Sequence, residues 1–310
     1  MKNFLDKGER KMGERYLIIN ADDFGMSRSA NLATFDLFEK GGITSATVMV
    51  PCGWSPEACK WAGQHPEYAI GVHLTFTSEW NNYRWGPVSL GNNSTLCDKY
   101  GYFYHENDEF EEHCDIDEVE NEIRAQVTRA KLLGLTPSHL DNHMGSLYGL
   151  NGNYEVMPKT FEICGEMGYA FRMFKYFRAE EIPEDFPEEV PLEVAQMLIN
   201  GYVRIADENK VPLIDYLLFP DWNDERRANF ETYREHMLNR LSNIPEGISE
   251  TFIHPAFESD EMKGITATWR ERSWEHRLFA DPKTRQHLES KGIKLINYHD
   301  VVRIRAEENK

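Results

Sequence analysis

An irregular (β/α) barrel with mainly parallel strands is the fold class that this sequence predicts, and three observations predict it. Short apolar runs alternate with segments of helical periodicity along nearly the whole chain. About eight such runs fall within roughly 280 residues, the density expected of a (β/α) barrel. No GxGxxG follows the first run, so a doubly wound open sheet is the second choice.

The first run, Tyr16-Leu17-Ile18-Ile19, opens a strand over 16–22 and leads into Asp22-Asp23-Phe24-Gly25. A helix over 29–40, a strand over 45–50 and a helix over 55–64 follow. The strand over 69–76 contains Gly71-Val72-His73-Leu74. Residues 77–116 then break the rhythm with an insertion rich in Trp, Tyr, Asn and acids. So long a connection is functional or disordered, and its aromatics argue against disorder. In the helix over 117–133, Val119, Ile123, Val127 and Ala130 make one apolar stripe, and Gly134 stands at the stop. A strand over 137–142, a helix over 154–167, a strand over 170–174 and a helix over 192–209 come next. A strand over 213–219 precedes a helix over 229–243 that sets Tyr233, Met237 and Leu241 four apart. A strand over 249–254, a helix over 273–291 and a strand over 294–298 complete the pattern. The reading is one catalytic domain over 1–310, with its core at about 15–303 and the insertion at about 77–116.

Hydrophobic residues make up 41% of the chain, enough for a substantial core. Acids outnumber bases 52 to 34, for a net charge of −18, which argues against nucleic-acid and anionic-membrane partners. No apolar stretch approaches the ~20 residues of a membrane span. Met1 to Arg15 is charged and has no apolar signal core, so a cytoplasmic location is expected. Cys52, Cys59, Cys97, Cys114 and Cys164 are odd in number and scattered, as free thiols in a reducing compartment would be. A homodimer is compatible with this sequence.

In a parallel barrel, chemistry collects at the C-terminal ends of the strands. Asp22 and Asp23 end the first predicted strand, His73 lies late in the third, and His254 ends the seventh. The fourth reads His139-Leu140-Asp141-Asn142-His143. The Asp23-Phe24-Gly25 triplet matches the metal-binding triplet of protein kinases only in isolation, because too few residues precede it for the other kinase elements. Burying Asp22 beside Asp23 is costly unless a cation or proton lies between them. On a regular strand, His139 and His143 would stand ~13 Å apart at ~3.3 Å per residue, too far to share one ion. His143 is therefore the better ligand, with Asp141 or His139 supporting it from behind. Asp23, His73 and His143 make an open three-ligand set that suits catalytic zinc or non-haem iron. Asp22 is then left as a base beside the ion. Both acids reach one site only where the strand ends or bends, and Gly25 is the expected place.

Taken together, the Asn20-Ala21-Asp22-Asp23-Phe24-Gly25, Gly71-Val72-His73-Leu74, His139-Leu140-Asp141-Asn142-His143 and His254-Pro255 segments resemble the YdjC-like carbohydrate deacetylases, which include chitooligosaccharide deacetylases. The resemblance covers roughly 15–303 and implies an irregular barrel of the NodB-like type. It also implies removal of acetyl groups from N-acetylated sugars with one divalent metal ion, zinc or magnesium. Carried over by motif, Asp23, His73 and His143 match the metal ligands, Asp22 the catalytic base and His254 the general acid. Arg172, in Ala170-Phe171-Arg172, matches an arginine that orients the base. Trp80 and Trp85 of the insertion are candidates to stack on a sugar, or else members of a local apolar cluster. The rival readings are another metal hydrolase or an oxygenase on the same triad, and a sugar-binding protein with a vestigial site.

Overall fold

The computed structural model describes residues 13–178, 192–220 and 223–308. Of the charged N-terminal stretch read above, residues 1–12 lie outside the described residues. The strands are β1 (Arg15–Phe24), β2 (Ser45–Val48), β3 (Ala69–Leu74), β4 (His139–Asn142), β5 (Ala170–Phe171), β6 (Tyr216–Leu218), β7 (Gly247–Ile253) and β8 (Ile293–Leu295). All pair in parallel, in the order β5-β4-β3-β2-β1-β7-β6.

The sheet curls until its two edges approach each other. The Phe171 N–H donates to Pro212 O at 3.2 Å, and Phe174 forms a parallel bridge with Ile214 just ahead of β6. The barrel is irregular because β8 does not take an eighth place in the ring. It pairs only with Arg15–Leu17 at the start of β1, on the side that β2 occupies further along.

The helices are α1 (Arg28–Lys40), α2 (Ser55–Gln64), α3 (Asn107–His113), α4 (Ile116–Leu132), α5 (Val156–Met167), α6 (Leu192–Glu208), α7 (Phe230–Ser242), α8 (Asp260–Ile265), α9 (Trp269–Ala280), α10 (Pro282–Ser290) and α11 (Tyr298–Glu308). The α4 stripe lies in the core, with Val119, Ile123, Val127 and Ala130 all buried. Each of its three larger side chains stabilises the fold by about 2 kcal/mol through burial. Gly134 takes φ +105° just past the end of α4, a conformation that costs glycine little.

Two predicted elements come out differently. The helix expected over 273–291 is two helices, because Pro282 carries no N–H and disfavours helical geometry at the residue before it. Asp281 is extended there and its side chain accepts from Lys283 N, so it ends α9 and caps α10. The last strand stops at Leu295 rather than running to 298, because the Asn297 side chain accepts from His299 N at 2.9 Å and starts α11. Helices α3, α8 and α11 fall where no helix was expected. Among the described residues, no helix is long and apolar enough to cross a membrane. All five cysteines are free.

Candidate active site

The barrel interior is polar at one end. Asn20, Asp22, Thr47, His73, Asp141, Arg172 and Glu250 are each 3% exposed or less. Parallel pairing brings the C-terminal ends of β1, β3, β4, β5 and β7 to this one end.

Asp22 and Asp23 share it because β1 bends at Asp23 itself, two residues before Gly25. Asp23 has φ +60°, and the pairing of β1 with β2 shifts register between Ala21 and Phe24. Such a residue costs about 1–2 kcal/mol in the left-handed region, less for Asp than for most side chains. Gly25, at φ +89°, completes the turn, and a Cβ there would lie 3.0 Å from Ser55 Cα. The bend turns both carboxylates towards the same imidazole. His73 Nε2 stands 3.8 Å from Asp22 Oδ2 and 3.7 Å from Asp23 Oδ1.

The two acids differ in their partners. Asp22 is held by Arg172 through Nη1 on Oδ2 and Nη2 on Oδ1, both at 2.7 Å, and Asn20 also donates to Oδ1. Burial pushes the Asp22 carboxyl up, but the Arg172 guanidinium, with His73 beside it, outweighs this and holds it at about 2. Asp23 Oδ2 accepts from the Arg272 guanidinium at 2.8 Å. Its Oδ1 is buried with no hydrogen-bond partner among the described residues. The His143 Nδ1 and His73 Nε2 atoms stand off from that oxygen at 3.5 and 3.7 Å, too far for good hydrogen bonds. A buried carboxylate oxygen left unpaired between two imidazole nitrogens is the arrangement that a cation completes. Potential ligand atoms of Asp23, His73 and His143 lie within 4.8 Å of one another.

Each imidazole is held on its other nitrogen. His73 Nδ1 meets Asp141 Oδ1 at 2.7 Å. Asp141 in turn accepts from Thr47 Oγ1 at 2.8 Å and pairs with Arg172 at 3.0 Å. His143 Nε2 meets Glu79 Oε2 at 3.0 Å. Burial would lower the His143 pKa, but Glu79 and Asp23 outweigh burial and raise it to about 10.

The support expected for His143 is therefore reassigned. Asp141 braces His73, and His139 touches neither imidazole of the triad. The β4 strand ends at Asn142, and His143 opens a 3₁₀ turn, His143–Tyr148, through left-handed Met144 and Gly145. The His139 ring, its pKa pushed well below the usual value by burial and by Arg172, stacks on Tyr298 with centroids 3.5 Å apart.

Arg172 joins the two halves of the site. Its NH groups reach Asp22 and Asp141, while Nε donates to Glu250 Oε1 at 2.6 Å. Tyr298 donates to the other Glu250 oxygen at 2.5 Å. Burial raises the Glu250 carboxyl and Arg172 offsets part of that, leaving it at about 7. His254 follows β7, half-buried, and its backbone N–H donates to Glu275 Oε2 at 2.6 Å. Burial pushes its pKa down and Arg272 adds to that, against the pull of Asp23.

The insertion packs over the same end. The Trp85 ring is 4% exposed, donates its indole N–H to Thr77 O and stands edge-on 6.0 Å from His143. Its faces are closed by packing, so the expectation of two stacking rings narrows to half-buried Trp80, whose ring lies 5.5 Å from the Arg272 guanidinium. Glu79, Arg272, Glu250 and Glu275 were not picked out from the sequence. Glu250 left a readable signal, a charged residue inside the apolar run of β7. The other three left none.

The YdjC-like protein family model matches residues 16–290. A carbohydrate deacetylase of Thermoanaerobacter pseudethanolicus is 24% identical over 92% of this chain and 98% of its own. A carbohydrate deacetylase of Enterococcus faecalis is 26% identical over 94% and 99%. A crystal structure of an Enterococcus faecalis protein, described as a candidate cellobiose-phosphate cleavage protein, superposes with a TM-score of 0.72 at 24% identity, covering 93% of this chain and 99% of that one. The last likeness establishes a shared fold.

Proposed function

Since this chain belongs to the YdjC-like protein family, we propose that it is a metal-dependent carbohydrate deacetylase that hydrolyses the acetamide of an N-acetylated amino sugar or short oligosaccharide. The observation that carries this reading is the unpaired, buried Asp23 Oδ1 between His73 Nε2 and His143 Nδ1. Two imidazoles and one carboxylate fit one divalent ion with positions left open, and the imidazoles favour zinc over magnesium. Such an ion supplies Lewis acidity, polarising a carbonyl and acidifying water.

The chain's own residues do the rest. Asp141 holds the proton on His73 Nδ1, which leaves the Nε2 lone pair facing the site. Arg172 fixes the plane of Asp22 and leaves Oδ2 facing the triad, where it takes the proton of the attacking water. A carboxylate held at about 2 is a weak base, so Asp22 serves only for water that is already acidified. His254 protonates the departing nitrogen, because an amine leaves far more readily than an amide anion. The depressed pKa makes its protonated form a stronger acid than free imidazole. Overall, a C–O bond forms from water, the C–N bond breaks and one proton passes to nitrogen, giving the free amine and acetic acid, which ionises to acetate. Trp80, half-buried next to the Arg272 that holds Asp23, offers a face for the apolar C–H surface of a sugar ring.

The test is acetate release from N-acetylglucosamine oligomers by the purified chain. Turnover is expected with zinc, to be lost on chelation and restored by adding metal back. No acetate from any N-acetylated oligomer, with the metal site filled, would overturn the reading.

A further inference from the structure

The aromatic insertion holds the metal triad as well as covering it. Its backbone at 77–79 is pinned by Thr77 bridging to Tyr104, by Ser78 N donating to Tyr104 O at 2.7 Å, and by His105 Nδ1 at 3.2 Å from Glu79 O. From that fixed backbone the Glu79 carboxylate meets His143 Nε2 at 3.0 Å. The opposite nitrogen, Nδ1, faces Asp23 Oδ1 at 3.5 Å. Rotating the ring by half a turn would put carbon atoms against both carboxylates, so these contacts select one orientation. His73 is arranged in mirror fashion, with Nδ1 on Asp141 and Nε2 facing the triad.

We infer that Glu79 is a positioning residue of the metal centre, which fixes the His143 ring so that this histidine binds the ion through Nδ1 while His73 binds through Nε2. The inference rests on the reading of Asp23, His73 and His143 as metal ligands. Its chemical basis is general: a carboxylate on the outer nitrogen fixes the tautomer and ring of a ligating histidine and raises its basicity. Trp85 stands edge-on to the same ring, with centroids 6.0 Å apart.

Zinc titration of the metal-free chain by calorimetry tests this, comparing wild type, Glu79→Gln and Glu109→Gln, an exposed change in the same insertion. The expected result is one zinc per chain in wild type and in Glu109→Gln, with affinity reduced about 10–100-fold in Glu79→Gln. Circular dichroism of metal-free Glu79→Gln should match wild type, because Glu79 lies at the rim of the site. A zinc-bound structure of wild type should place the metal on His143 Nδ1. If wild type binds no zinc, the metal site itself is wrong. If wild type binds and Glu79→Gln binds equally well, or the ion sits on His143 Nε2, the triad stands and the role of Glu79 is refuted.

Discussion

Arg172 grips Asp22 through two parallel hydrogen bonds of 2.7 Å, with both side chains almost wholly excluded from solvent. A bidentate guanidinium fixes the plane of a carboxylate as well as its charge. Arg172 also pairs with Asp141 and Glu250, so one cation holds the proposed base and the carboxylate that braces His73.

Removing Arg172 leaves three buried carboxylates without their common partner. Arg172→Ala is expected to destabilise the fold by about 3–5 kcal/mol, the usual cost of an orphaned buried charge. Arg172→Lys keeps the charge and loses the fork. It should fold with bound metal and show a markedly lower kcat. Urea unfolding and acetate release on both variants check this, and a fully active Arg172→Lys would show that the fork is not needed.

His143 and His139 lie four residues apart and should respond oppositely. His143→Ala removes a proposed ligand and should lose the ion. His139→Ala removes a ring stacked on Tyr298, away from the triad, and should keep the metal while losing stability. Metal analysis after dialysis, with thermal melts, separates the two. Equal metal content in wild type and His143→Ala would remove His143 from the ligand set.

Zinc affinity should depend on pH in a definite direction. The His143 pKa in the metal-free chain is raised to about 10, so the ring is protonated across the neutral range and must release that proton to bind an ion. Affinity should therefore rise towards about pH 10, at up to tenfold per pH unit, with about one proton released per zinc. The same shift stabilises the metal-free fold fully below about pH 6.5, and that contribution is lost as pH rises through about 10. Calorimetry in buffers of different ionisation heat reads the proton count. A flat affinity between pH 6 and 8 would contradict the protonated state of His143.

Much of this was legible in the sequence, for local reasons. Apolar runs ending in Asp22-Asp23, His73, His143 and His254 mark strand ends, and in a parallel barrel those ends meet. What was missed depends on tertiary contact or on backbone conformation. Glu79 meets His143, and Arg272 meets Asp23, across 64 and 249 positions of chain, and no spacing rule reaches that far. The bend that turns both acids inward sits on Asp23, a residue whose sequence gives no sign of a left-handed φ, whereas glycine two positions later invites the assignment. The single helix expected over 273–291 ignored Pro282, a signal that was present and local.

The central claim is that Asp22 and Asp23, neighbours in the chain, divide the work between base and ligand. Metal content and acetate release from an N-acetylated oligomer, measured together for Asp22→Asn and Asp23→Asn, test it most directly. Asp22→Asn should keep its metal and lose activity by about 10²–10⁴-fold, the scale of a general base. Asp23→Asn should lose the metal, because a neutral amide replaces the carboxylate whose Oδ1 faces both imidazoles. Full activity in Asp22→Asn, or undiminished metal binding in Asp23→Asn, would contradict the division.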